Sequence, residues 1–138
     1  MADQGYVGIP TTRLRSEHYQ AMAQVGDQRL SLIIDSGAST SVLDNASALR
    51  LRLPLRRTRT RISGLGAPAQ RALSARLDNV RLGGLRIDSL PVMVLDLSHV
   101  NQSLRDEGID TADGVIGADL LMRREAVLDF VSGVLYLR

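Results

Sequence analysis

Apolar positions recur mostly at every second residue, in short runs broken by glycine or polar pairs, which predicts strands joined by hairpins rather than helices. Residues 18–25 and 28–34 form two such runs around Gly26-Asp27, a pair suited to a tight hairpin turn. Residues 41–45 lead into a short helix over 46–51, capped by Asp44 or Asn45 and stopped before Pro54. Residues 56–62 alternate arginine with threonine or apolar side chains, and 69–77 reads as the returning strand. Runs at 80–82 and 85–87 flank Gly83-Gly84 as a further hairpin, and 90–97 is another strand with Pro91 near its start. Residues 98–112 are polar and poorly periodic, which reads as a loop with one helical turn. A short helix is expected over 118–124, and a closing hairpin joins 126–130 to 134–137 through Ser132-Gly133. Residues 1–17 show no clear period and read as an extended arm or edge strand, leaving 18–138 as one domain. Many short strands with one or two short helices indicate an all-β closed barrel.

At 138 residues the chain is long enough to bury a core without staples. It has no cysteine, which removes disulfide and thiolate chemistry. His18 and His99 lack ligand spacing, so neither a metal site nor a cofactor is expected. All seventeen basic residues are arginine, yet the net charge is only +2 and the aromatics are Tyr6, Tyr19, Phe130 and Tyr136 alone. Nucleic acid is therefore not the expected partner. Six arginines fall between positions 50 and 61, read either as a solvated edge strand guarded by charge or as a surface for an acidic partner or lipid. No apolar run reaches the roughly eighteen residues of a membrane span, and no signal peptide opens the chain, so it reads as soluble, cytoplasmic or periplasmic if bacterial. An upstream membrane anchor would be compatible with that reading.

The chemistry concentrates in one stretch, Leu32-Ile33-Ile34-Asp35-Ser36-Gly37-Ala38-Ser39. A branched apolar run suits a buried strand, and a carboxylate at its end is costly there unless it is used. Downstream, Asp113-Gly114-Val115-Ile116-Gly117-Ala118-Asp119-Leu120-Leu121 supplies an apolar-apolar-Gly element running into a helix. Between them, Ile62-Ser63-Gly64-Leu65-Gly66-Ala67 reads as a glycine-rich hairpin tip. A strand ending in Asp-Ser-Gly, then a flap, then apolar-apolar-Gly-helix resembles the retropepsin-like aspartic proteases, over about residues 19–137.

That resemblance implies a two-fold homodimer, because hydrolysis by carboxylates needs two and this chain carries one Asp-Ser-Gly. Asp35 of each subunit would meet across the axis, one ionised to take a proton from water and the other protonated to polarise the carbonyl. Ser36 would hydrogen-bond across the dimer beneath the pair, and Gly37 would let the backbone approach. Ile33 and Val115 would line subsites near the scissile bond, with Ser39 beside them. Ile62, Gly64, Leu65 and Gly66 would form the flap over an extended peptide or protein substrate. Each part also has a plain structural reading: Ser36 as a turn cap, the flap glycines as an ordinary hairpin, and Ile33 and Val115 as core.

Two positions depart from the viral members. Ser39 stands where most carry an acid and Ala118 where they carry an arginine, so the chain looks closer to cellular and bacterial members such as the retropepsin domain of the DNA-damage-inducible proteins. Ala38 also lacks the serine of pepsin-like enzymes, one donor fewer to an ionised carboxylate, so activity is expected at mildly acidic to neutral pH. An alternative is a catalytically silent dimer that holds a peptide without cutting it. A third is an electrostatic adaptor acting through the arginines at 50–61. A serine hydrolase is disfavoured, since no Gly-x-Ser-x-Gly is present.

Overall fold

The computed structural model describes residues 1–64 and 67–138, the side chains of 60–70 excepted. The chain runs β1 (Val7–Pro10), β2 (Thr12–Arg13), β3 (Tyr19–Val25), β4 (Gln28–Ile34), β5 (Val42–Asp44), α1 (Asn45–Arg50), β6 (Arg56–Gly64) and β7 (Ala67–Leu82). It continues through β8 (Leu85–Leu95), α2 (Ser98–Asp106), β9 (Gly114–Ile116), α3 (Ala118–Arg123), β10 (Val127–Asp129) and β11 (Val134–Leu137). The large sheet has the order β2-β3-β4-β9-β5-β8-β7-β6, and β3 also pairs with β7. That extra pairing closes β3, β4, β9, β5, β8 and β7 into a six-stranded barrel. Closure leaves the barrel strands without an open edge, and β2 and β6 extend the sheet outside it. A separate sheet, β1-β11-β10, ties the two chain ends together.

The alternation seen in the sequence becomes burial. In β3, Ala21 and Ala23 point inward, and Leu30 and Leu32 answer from β4 across the Gly26 turn, where φ is +60°. One cluster holds Leu30, Leu43, Leu77, Val80, Leu82, Ile87, Ile116 and Leu120, with Ile9, Leu135 and Leu137 sealing it from the terminal sheet. A second, with Ile33, Val42, Ala72, Leu97, Leu104 and Val115, fills the end of the barrel towards Asp35. Every residue of β9 is buried, as a strand flanked on both sides and covered on both faces requires.

Three elements differ from the sequence reading. The stretch after Leu97 is not a loop with one turn but the nine-residue helix α2. Leu97, Asn101 and Leu104 form its inward side at helical spacing, and the middle position is an amide. Asn101 accepts from Ala112 N (2.8 Å) and donates to Ala112 O (3.1 Å), so a buried polar clamp stands where an apolar side chain would have marked the period. Next, the hairpin expected at 80–87 is part of one long ribbon, β7 with 16 residues and β8 with 11. Pro91 therefore lies inside β8, just before that strand begins to pair with β5 at Met93, so its missing N–H faces no partner. Lastly, Asp44 precedes α1 but makes no side-chain cap; its carboxylate accepts Leu97 N instead (2.9 Å) and fixes the entry to α2.

Arg56, Arg57 and Arg59 of β6 are all exposed. Among the described residues no helix is long and apolar enough to cross a membrane.

Candidate active site

The site is built where β4 ends. Strand β9 lies parallel to it, with Leu32 beside Gly114, Ile33 beside Val115 and Ile34 beside Ile116. The ladder runs one step past the strand: Asp35 N donates to Ile116 O at 3.0 Å. The chain then turns back, closed by Ala38 N on Asp35 O (3.1 Å). Within that turn Asp35 Oδ1 accepts Gly37 N at 2.9 Å, which orients the carboxylate over the loop and leaves its second oxygen unclaimed among the described residues. Asp35 is half-buried, whereas Ser36, Gly37 and Ser39 are exposed. Among the described residues no cation pairs with Asp35, and no cluster of three acidic or histidine side chains suits a metal.

Beneath the turn the Val115-Ile116-Gly117 element packs as the resemblance implies, joined by a Ser41–Asp119 pair that the sequence reading missed. Ala118 N donates to Ala38 O at 2.7 Å, and a Cβ on Gly117 would fall 2.7 Å from that oxygen, so only glycine permits the approach. Ser41, 1 % exposed, donates its hydroxyl to Asp119 Oδ1 (2.7 Å) and accepts Gly117 N (3.0 Å). Asp119 Oδ2 takes Ser41 N at 3.1 Å. The serine and carboxylate thus lock the exit of the Asp35 turn to the start of α3. Asp113 performs a similar service behind β4, accepting Ser31 N and Ser47 Oγ, both at 2.8 Å, with Arg50 at 3.3 Å. Asp119→Ala is expected to cost about 2–3 kcal/mol, because Ser41 N and Oγ lose their acceptor in the interior. A lower urea midpoint at constant slope would show it, and an unchanged midpoint would mean the lock carries no stability.

The predicted residues do not all gather at one open surface. Asp35, Ser36, Gly37 and Ser39 sit together on the turn. Ile33 and Val115 are neighbours behind it but are packed in the core, 5 % and 4 % exposed. Ile62 and Gly64 belong to β6, whose side chains from residue 60 on are outside the described residues, as are Leu65 and Gly66 altogether.

An aspartyl protease family model matches residues 21–120. The chain belongs to that family. No curated protein matches this aspartyl protease by sequence. Among solved structures it is similar to a retropepsin-like aspartic protease from Rickettsia conorii, at TM-score 0.65 and 23 % identity over 96 % of this chain and 89 % of that one. The EIAV protease in complex with the inhibitor HBY-793 superposes at TM-score 0.59, with 22 % identity over 86 % of this chain and 99 % of that one. The retroviral protease-like domain of Ddi1 from Leishmania major does so at 0.54, with 20 % identity and 86 % of each chain. The fold is retropepsin-like, shared with a bacterial and a viral protease alike.

Proposed function

We propose that the protein is a homodimeric aspartic endopeptidase whose catalytic pair is Asp35 from each of two copies. The observation that carries this is a single half-buried carboxylate at the end of β4, held by Gly37 N on a turn braced from below by Gly117, Ser41 and Asp119. Two like charges brought together cannot both ionise, so one Asp35 serves as base for the attacking water while the other donates to the substrate carbonyl. Ser36, exposed beside it, hydrogen-bonds to the partner copy and fixes the pair. Gly37 and Ser39 border the substrate path. Ile33 and Val115, packed behind the turn, form the floor of the subsites. Ile62, Gly64, Leu65 and Gly66 close over an extended peptide from the β6–β7 ribbon.

A face for the second copy supports this reading. Ser36 and Ile34 share the wall of an apolar groove of about 500 Å3 with Tyr19, Met122 and Phe130. Met122 is 78 %, Phe130 71 % and Val131 98 % exposed, an apolar display that a lone chain has no reason to keep. Seating a second copy there brings its Asp35 to the first.

The test joins sedimentation to a peptide-library digest read by mass spectrometry from about pH 3 to pH 8. A dimer is expected, with specific activity falling as the protein is diluted. Phe130→Glu should raise the concentration needed for both dimer and activity by about tenfold or more, as burying an unpaired carboxylate demands. A monomer with full activity would overturn the proposal. A stable dimer that cuts nothing across this range would leave the peptide-binding module instead.

A further inference from the structure

Charge is spread unevenly along the chain. Residues 50–87 hold ten arginines and one acid, Asp78, a net +9, while the remainder sets seven arginines against fourteen acids, a net −7. Folding gathers part of the positive charge into one row across the outer face of the barrel. Arg29 of β4 lies directly across from Gln24 of β3, Gln24 across from Arg81 of β7, and Arg81 across from Arg86 of β8. Directly opposed side chains share a face, and all four are exposed. Strand spacing separates Arg29 from Arg81 by about 10 Å, with Arg86 one strand further on.

The row lines a concavity of about 710 Å3 whose walls include Met22 and Asn79 but no acidic side chain. Like charges directly opposed across strands weaken a sheet, so Arg81 beside Arg86 works against stability. Arg86 is held in place, donating to Asn79 Oδ1 at 2.6 Å and pairing with Asp88 at 3.4 Å. Among the described residues no carboxylate pairs with Arg29 or Arg81. Arg29 is the second residue of β4 and Asp35 follows that strand's far end, so the row stands about 20 Å from the candidate active site.

We propose that Arg29, Arg81 and Arg86 form an anion exosite that captures an acidic stretch of the polypeptide substrate while another stretch lies over Asp35. This deepens the protease reading and rests on it. Alternate carboxylates on an extended segment repeat about every 7 Å, a spacing that a row of guanidinium forks can meet with two-pronged hydrogen bonds. No aromatic side chain lines the row, so it offers no stacking platform to single-stranded nucleic acid. A polypeptide is also the partner that the Asp35 site itself requires. Engaging both sites on one chain raises the effective concentration of the scissile segment, which lowers KM and leaves kcat unchanged.

The test measures binding without cleavage. Asp35→Asn protein is titrated into a fluorescein-labelled glutamate-serine repeat peptide at low salt, beside the glutamine-serine counterpart, and anisotropy is read. The glutamate peptide is expected to bind and the glutamine peptide to fail. Arg29→Gln with Arg81→Gln should weaken binding about tenfold, and added salt should weaken it steeply. If thermal unfolding shows that the double variant has not folded, Arg81→Gln alone carries the test, with about a threefold loss expected. Arg105→Gln with Arg123→Gln removes the same charge elsewhere and should change binding little. Equal loss in that control, equal binding of the glutamine peptide, or tighter binding of duplex DNA or phosphatidylserine vesicles would overturn the exosite. An inert Asp35 pair does not alter this readout, and a failed exosite beside an active pair leaves the protease reading intact.

Discussion

Asp35→Asn is expected to lower kcat/KM by about 10,000-fold, the upper range for general acid–base groups, while leaving fold and dimer in place. Asparagine keeps the oxygen that accepts Gly37 N at 2.9 Å, and the turn itself is closed by backbone, Ala38 N on Asp35 O. What it loses is basicity and the capacity to carry the paired proton. Because the substitution enters both subunits, it removes base and acid together. Relief of repulsion between two adjacent carboxylates means the variant dimer should melt no earlier than the parent. Library digestion and thermal unfolding on the same preparations decide the matter. Cleavage that survives in Asp35→Asn would place the chemistry elsewhere and remove the basis for the dimeric reading.

The parts of this fold that could be read from the chain are those whose signal is local. The β3–β4 hairpin announces itself through Gly26-Asp27 between two alternating runs, and the turn after Ile34 through a carboxylate ending an apolar strand. Asp113 and Asp119 gave no such signal. Each is a short acid near a glycine, and what makes them structural is a partner far away: Ser41 lies 78 residues before Asp119 and Ser31 lies 82 before Asp113. The useful clue was Ser41 itself, a hydroxyl directly preceding the apolar pair Val42-Leu43 and therefore carried into the interior, where it needs an acceptor.

The hairpin around Gly83-Gly84 stands where the sequence reading puts it, and only the length of its ribbon escaped that reading, for a different reason. Asp78-Asn79 and Asp88-Ser89 look like turn dipeptides, yet Asp78 pairs with Ser89 inside the continuous ladder. Leu77 and Val80 are both buried with two exposed residues between them, and so are Ile87 and Leu90 on the opposite strand. The two-residue period therefore slips by one on both strands at the same level, with Asn79 taking a left-handed φ of 54°. Such a paired slip bends the ribbon across the barrel, and a strict alternation test takes it for a chain break.

Gly114→Ala should destabilise the protein more than any surface change, by about 4 kcal/mol or more. Gly114 lies on β9 between Leu32 of β4 and Leu43 of β5, and a Cβ there would fall 2.3 Å from Val42 O, with Leu32 Cδ2 at 3.2 Å. Neither neighbour can yield cheaply, since one is backbone in a closed barrel and moving it parts β5 from β9. Gly117→Ala meets Ala38 O and the Thr40 carbonyl carbon, both at 2.7 Å, so its cost, about 3 kcal/mol, falls on the loop that carries Asp35. At about 3–5 °C per kcal/mol for a chain of this size, the two variants should melt roughly 10–20 °C below the parent. Gly84→Ala is the control: its Cβ would reach only Val7 Cγ1, at 3.6 Å, an ordinary contact, and its melting point should hardly move. If Gly114→Ala melted with the parent, the close approach of β9 to β5 would be wrong, and with it the brace beneath Asp35. If Gly117→Ala lost activity while Gly84→Ala kept it, Asp35 would be shown to depend on the loop's contact with the start of α3.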